Sequence, residues 1–112
     1  MNSLEVTDNA SKAVATHPRV ALSDIESAIA ARYDFPADKA VSALGSPVAD
    51  PLKLLSICIL VMRNGFTVIG KSAPASPENF NEELGQKFAY EDAVRQLWPL
   101  MGFALRDKLA GH

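Results

Sequence analysis

Reactive side chains are scarce in this chain. One cysteine and two histidines among 112 residues exclude an intrachain disulfide and leave little from which to build a metal centre or a histidine-assisted nucleophile. His17 lies in a polar N-terminal stretch and His112 is the last residue of the sequence. Excess charge of one sign is also missing. Eleven basic residues are scattered among thirteen acidic ones, for a net charge of -2 and a pI near 5.6. Phosphate neutralisation needs clustered Lys and Arg, so general nucleic-acid binding is not expected. The longest apolar stretch, residues 54–62, falls short of the ~20 residues that cross a bilayer. The start of the sequence lacks the basic and apolar segments of a signal peptide. No glycine loop suited to cradling phosphate is present, because Gly65 and Gly70 fit a hairpin better. The acidic pairs Glu82-Glu83 and Glu91-Asp92 sit in helical sequence, where neighbours point about 100° apart and do not converge. They are read as parts of a solvated face. Together these absences predict a protein that is not an enzyme and uses no metal or other cofactor. The buried-looking run Ile57-Cys58-Ile59-Leu60 makes Cys58 a small core residue, consistent with a reducing cytosol.

What is present reads as a single α+β domain: two short N-terminal helices, a β-hairpin and a long C-terminal helix kinked at Pro99. Residues 1–20 are polar and lack sustained periodicity, which predicts a flexible arm ahead of a domain at 21–112. Ser23-Asp24-Ile25-Glu26 has the form of a capping box and predicts a helix to about Tyr33, stopped by Pro36. A second helix is expected over residues 37–44, with Ala40, Val41 and Leu44 inward and Gly45 closing it. Residues 54–62 admit two readings. Asp50 and Pro51 can start a helix there, but the β-branched Ile57, Ile59 and Val61, followed by Asn64-Gly65, favour the first strand of a hairpin. Phe66-Thr67-Val68-Ile69 supplies the second strand. A two-residue turn would pair Arg63 with Phe66 and Val61 with Val68. Both faces of such a hairpin are apolar at the middle, so both are expected to be covered, and its free edge blunted or paired.

Ser76-Pro77 predicts the start of the long helix, with Phe80, Leu84 and Phe88 recurring at every fourth position. Glu83 with Lys87, and Glu91 with Arg95, have the spacing of exposed ion pairs. Pro99 removes an amide and predicts a kink or break. Gly85 within the helix predicts another backbone passing close by, such as that of a symmetry mate. A binding site is the easiest functional feature to support. Asn79 and Asn81 flank the helix start, with Lys71 and Ser72 a few residues upstream, and such an end can attract an anion. Tyr90 and Trp98 can stack on a ligand or pack in the core. Arg95 and Arg106 can clamp a phosphate or a carboxylate. Gly85 and the apolar hairpin together favour a homo-oligomer, a dimer in the simplest case.

Asn64-Gly65-Phe66-Thr67-Val68-Ile69-Gly70, Ser72, Ala73, Ser76-Pro77-Glu78-Asn79-Phe80, Glu83-Leu84-Gly85, Ala89, Ala93, Leu97-Trp98 and Gly102-Phe103 form an ordered series of short motifs. The series resembles a small bacteriophage and prophage family typified by gene product forty-nine of phage N-four and gene product sixty-six of a Shigella phage. The resemblance runs over about residues 22–109. It brings no catalytic residues with it. It implies a phage-encoded protein in the cytoplasm of an infected bacterium, where small non-virion proteins often modulate host enzymes or defence systems. Three expectations follow. The first is an accessory protein that binds a host protein and inhibits or redirects it. The second is a binder of a small nucleotide, such as a sponge for a cyclic nucleotide defence signal. The third is a virion structural or assembly component.

Overall fold

The computed structural model of the chain describes residues 2–112 and has an α+β architecture. In chain order it has helix α1 (Ser3–Val14), helix α2 (Leu22–Ala28), strand β1 (Ile29–Pro36) and helix α3 (Ala37–Ala43). A 3-10 turn (Asp50–Leu54), strand β2 (Ser56–Met62), strand β3 (Thr67–Ser72), a second 3-10 turn (Pro77–Asn79) and the 28-residue helix α4 (Glu82–Leu109) follow. The sheet is antiparallel in the order β1-β2-β3, so β2 is its central strand.

No residue from 54 to 63 is α-helical, and the hairpin forms. Its register differs from the expected one by a single residue. Val61 pairs with Thr67 and Leu60 with Val68, and the Met62 amide donates to the Phe66 carbonyl (2.8 Å). The connection is a three-residue loop, Arg63-Asn64-Gly65, in which Gly65 takes φ +88°. A three-residue loop ending in a left-handed glycine is the next most common hairpin geometry after the two-residue turn. Because side chains alternate, the shift exchanges faces. Ser56, Cys58, Leu60, Met62, Val68 and Gly70 are buried, whereas Ile57, Ile59 and Val61 are only half-buried and Phe66 is exposed.

The helix expected to reach Tyr33 stops at Ala28, and β1 takes its place. The Asp24 carboxylate reaches back to the Ala21 amide (2.8 Å), so the helix begins at Leu22 rather than on the Ser23 cap. Beyond Ala28, Ala31, Tyr33 and Phe35 alternate with Arg32 and Asp34. That period of two favours a strand once β2 offers an edge. α3 forms where expected and Gly45 (φ +75°) closes it. Its inward residue, however, is Ala37. Ala40 and Leu44 are exposed, because α3 hangs on the end of the sheet and packs mainly on β1 and the first 3-10 turn.

Residues 3–14, anticipated as part of an arm, form α1. Leu4 is 2% exposed and joins Ile25, Leu60, Val94 and Leu97 in one core. Asp8 holds the helix against the next segment. It accepts from Arg19 (2.7 Å) and from the Leu22 amide (3.0 Å), and both contacts keep its carboxyl below the usual range.

Ser76-Pro77 starts only the short 3-10 turn. The long helix begins after Asn81, whose side chain accepts from the Leu84 amide (3.0 Å). α4 lies across the inner face of the sheet through Ala89, Ala93, Val94 and Leu97. The i+4 series Leu84 and Phe88 points outward. Gly70 and the small Ala89 and Ala93 set the distance of approach, since a Cβ on Gly70 would lie 2.0 Å from the Ala89 carbonyl oxygen. What passes Gly85 is a side chain of the same chain and not the expected backbone: a Cβ there would meet the buried Ser56 hydroxyl at 2.3 Å. The helix runs through Pro99, which sits on its exposed side, so the Arg95 carbonyl left without a helical donor can turn to water.

Candidate functional site

The sheet has two dissimilar faces. Its inner face carries the core under α4 and, along β1, a polar margin. Arg32 donates to Asp34 (2.8 Å), and its guanidinium lies 4.0 Å from the centroid of the Tyr90 ring. Asp34 stands opposite Cys58, which is fully buried. Burial first, and then the negative charge of Asp34, push the Cys58 thiol up to about 11. A thiol held neutral is a poor nucleophile and a poor ligand. The Arg32 contact with the Tyr90 ring ties β1 to α4. Burial and the nearby Glu26 raise Tyr90 in the same sense.

The outer face carries Ala31, Tyr33 and Phe35 from β1, Ile57, Ile59 and Val61 from β2, and Thr67, Ile69 and Lys71 from β3. No helix lies on it. Tyr33 and Ile69 are each 57% exposed, and Ala31, Phe35, Ile57, Ile59 and Val61 are half-buried by one another. Lys71, at one corner, is its sole charged side chain. Three strands about 4.8 Å apart and some 20 Å long make this a largely apolar field of roughly 300 Å², comparable to the largest apolar patch on a typical monomer, which is often functional. The expectation that both faces would be covered is thus corrected. The single long helix covers one side, and β1 extends the sheet sideways instead of closing over it.

The free edge of β3 is blunted from the helix side. Gln96 donates to the Ile69 carbonyl (2.7 Å), and Asp92 accepts from the Lys71 amide (2.9 Å). These side chains occupy groups that another strand would use. Asp92 is therefore not simply solvated, and neither is Glu91. Glu91 is 3% exposed and accepts from the Ser3 hydroxyl (3.3 Å), which in turn accepts from Arg95. The expected Glu91–Arg95 pairing is replaced by this bridge through α1.

The residues singled out from sequence are dispersed. Lys71 and Ser72 end β3. Asn79 lies in the second 3-10 turn and Asn81 caps α4. Tyr90 stacks under Arg32, Arg95 meets Ser3, and Trp98 donates to the Val20 carbonyl (3.0 Å). Arg106 lies in the last turn of α4, where a cation suits the helix dipole. Among the described residues no hydrogen bond or ion pair joins any two of these eight. Of the outer face, the spacing of Ile57, Ile59, Val61 and Ile69 is legible as hairpin, whereas Ala31 and Tyr33 fall in the expected helix although their alternation with Arg32 and Asp34 carries a strand signal.

A groove of about 440 Å³ lies between α4 and the hairpin loop, lined by Ala28, Met62, Phe66, Leu97, Leu100 and Met101, with Arg63 and Asn64 at its rim. The Arg63 side chain is tied to the Ser27 carbonyl (2.6 Å). Among the described residues no group of His, Cys, Asp and Glu is placed to hold a metal ion, and no helix is long and apolar enough to cross a membrane.

A three-stranded sheet with one helix-covered face and one bare apolar face defines a small surface-presenting α+β protein. Residues 20–109 match the model of the phage protein (N4 Gp49/phage Sf6 gene 66) family, and the chain belongs to that family. No curated protein and no solved structure matches it.

Proposed function

We propose that this phage protein is a non-catalytic accessory factor that binds a host bacterial protein through the outer face of its sheet and inhibits or redirects it. One observation carries the reading: six apolar side chains (Tyr33, Phe35, Ile57, Ile59, Val61 and Ile69) share a face on which none of the described helices lies. Leaving such a field in water forgoes about 25 cal/mol for each Å² that a partner would bury. Tyr33, on the edge strand beside the central Ile59, is the type of residue that anchors protein interfaces. The test is a pull-down from host lysate with wild-type protein and with Tyr33→Lys and Ile69→Lys. Both positions are exposed, so both variants should fold. A prey recovered by wild type and lost with both variants supports the proposal. The same recovery from all three overturns it.

A second reading, the nucleotide sponge, is favoured by the groove beside the hairpin. Its volume suits a small molecule, and Phe66, Arg63 and Asn64 at its mouth offer a stacking ring, a cation and an amide. Thermal shift against a panel of cyclic nucleotides separates the readings, since ligand at 100 times its Kd adds about 2.7 kcal/mol. No shift across the panel removes the second reading and leaves the first intact.

A further inference from the structure

The two edges of the sheet differ. On β3, Asp92 and Gln96 occupy outward backbone groups. β1 has no such guard. The Ala37 amide donates to the Leu55 carbonyl (2.8 Å), which continues the β1–β2 register and fixes which way each residue of β1 directs its backbone. Ala31, Tyr33 and Phe35 direct theirs to β2, so the N–H and C=O groups of Arg32 and Asp34 point away from the sheet. Among the described residues no hydrogen bond reaches these outward groups. α4 packs chiefly on β2 and β3, which leaves the flank of β1 clear. The open stretch lies between a register shift at Ile29/Ala31 and Pro36, with Tyr33 at its middle.

We propose that this open edge is a dimer contact, occupied by β1 of a second copy of the chain running antiparallel to it. A twofold axis normal to the sheet at Tyr33 sets Arg32 opposite the partner's Asp34, and Asp34 opposite the partner's Arg32. Backbone direction and charge agree on this register. The outward N–H and C=O groups of Arg32 meet those of the partner's Asp34, so each gains a hydrogen bond. Moving the axis one residue either way would set arginine on arginine or aspartate on aspartate, like charges directly opposite. On the outer face the same register pairs Ala31 with the partner's Phe35, small against large. The segment Ala31-Arg32-Tyr33-Asp34-Phe35 is thus complementary to itself, which favours a second copy over an unrelated strand. The product is one continuous sheet of twice three strands, with both α4 helices on one side and both bare faces joined on the other. A single strand-to-strand seam buries less than the ~1,200 Å² of standard interfaces, so the dimer is reversible and held mainly by backbone hydrogen bonds.

The test is the solution mass of the full chain by light scattering and sedimentation, from about 10 μM to about 1 mM, the range of a weak contact. Wild type should rise from the 12.0 kDa of one chain toward twice that value. Arg32→Asp sets acid against acid and should raise the dissociation constant at least about tenfold, with circular dichroism retained. Adding Asp34→Arg should restore association, because the exchanged charges are again opposite. Ile69→Lys should leave the mass unchanged, which separates this result from the host contact. At the axis the two copies of residue 33 would stand about 4.5 Å apart at Cα, within disulfide reach. Tyr33→Cys should therefore form a reducible cross-linked dimer that wild type, whose Cys58 is buried, does not form. That variant decides the matter should the charge variants fail to fold. A single-chain mass at every concentration overturns the proposal. So does association that Arg32→Asp leaves unweakened, that the folded double variant does not recover, or that Ile69→Lys abolishes, and so does a Tyr33→Cys chain that stays uncross-linked under oxidation.

Discussion

Substituting Gly70 tests how α4 lies on the sheet. Gly70→Ala would bring a Cβ to 2.0 Å from the Ala89 carbonyl oxygen, 2.6 Å from the Ala93 nitrogen and 2.8 Å from the Ala93 Cβ. Non-bonded carbon contacts settle near 3.5–4.0 Å, so strand and helix must separate by about 1 Å or more. The nearest atoms are helix backbone, with no flexible side chain to swing aside. The separation would loosen the layer formed by Cys58, Leu60 and Val68 against Ala89, Val94 and Leu97. Overpacking a core costs about 1–3 kcal/mol and occasionally more, and a clash between two backbones belongs at the upper end, about 3 kcal/mol. In a domain of this size each kcal/mol moves Tm by about 4 °C, which predicts a loss of about 12 °C. Ile69→Thr, one residue away and facing outward, should stay within about 0.5 kcal/mol of wild type. Urea unfolding followed by circular dichroism, with Tm from calorimetry, measures both. If Gly70→Ala loses less than about 1 kcal/mol, α4 does not cross β3 at this point and the core described above is wrong.

Other contacts give shorter tests. Leu4→Ala should cost about 2–3 kcal/mol in urea unfolding, because Leu4 is a fully buried leucine of α1; a cost near zero would mean that α1 does not dock. Gly85→Ala should destabilise by driving a methyl into Ser56, and Ser56→Ala should restore part of that loss, with a coupling of at least about 0.5 kcal/mol in the double-mutant cycle. Alkaline pH should weaken the fold through Cys58. Its thiol rises from 9.0 to about 11 on folding, so stability is complete below pH 9 and falls as pH climbs toward 11, by on the order of 2–3 kcal/mol. Cys58→Ala should flatten the fall of Tm over that range, and an unchanged slope would refute the assignment.

The parts of the fold legible in the sequence are those with a strong local signal. Asn64-Gly65 between β-branched runs marked the hairpin, Gly45 the end of α3, and the acid-rich, apolar-periodic stretch after Phe80 the long helix. Other features depend on partners distant in sequence. β1 was hidden because Ser23-Asp24-Ile25-Glu26 resembles a helix start that continues, and only the edge of β2 gives residues 29–36 a reason to extend. The hairpin register turned on one residue of loop length, and with it which set of apolar side chains met α4. α1 has few apolar residues and was read as an arm, yet one of them, Leu4, reaches the core. The candidate ligand residues were chosen by proximity in sequence to a helix end. Folding instead gave several of them local partners: Tyr90 under Arg32, Arg95 at Ser3, Trp98 at Val20. The outer face was legible only as a by-product of the strands, since a period of two does not say which side is left uncovered.

The placement of α1 bears on why that face is bare. α1 lies outside the segment that matches the family, 20–109, and it adds an apolar residue to the molecule's cover. It packs on α2 and α4, the elements that already stand on the inner side. Each helix that touches the central core (α1, α2 and α4) thus gathers on one side of the sheet, while α3 hangs at its end. Meanwhile Asp92 and Gln96 occupy one amide and one carbonyl on the outer edge of β3, groups that a strand of another chain would use. A sheet blunted along β3 but open across one face disfavours strand pairing there, yet still offers a surface for side-chain packing. The distribution of cover, more than any single residue, is what supports the outer face as the proposed contact surface.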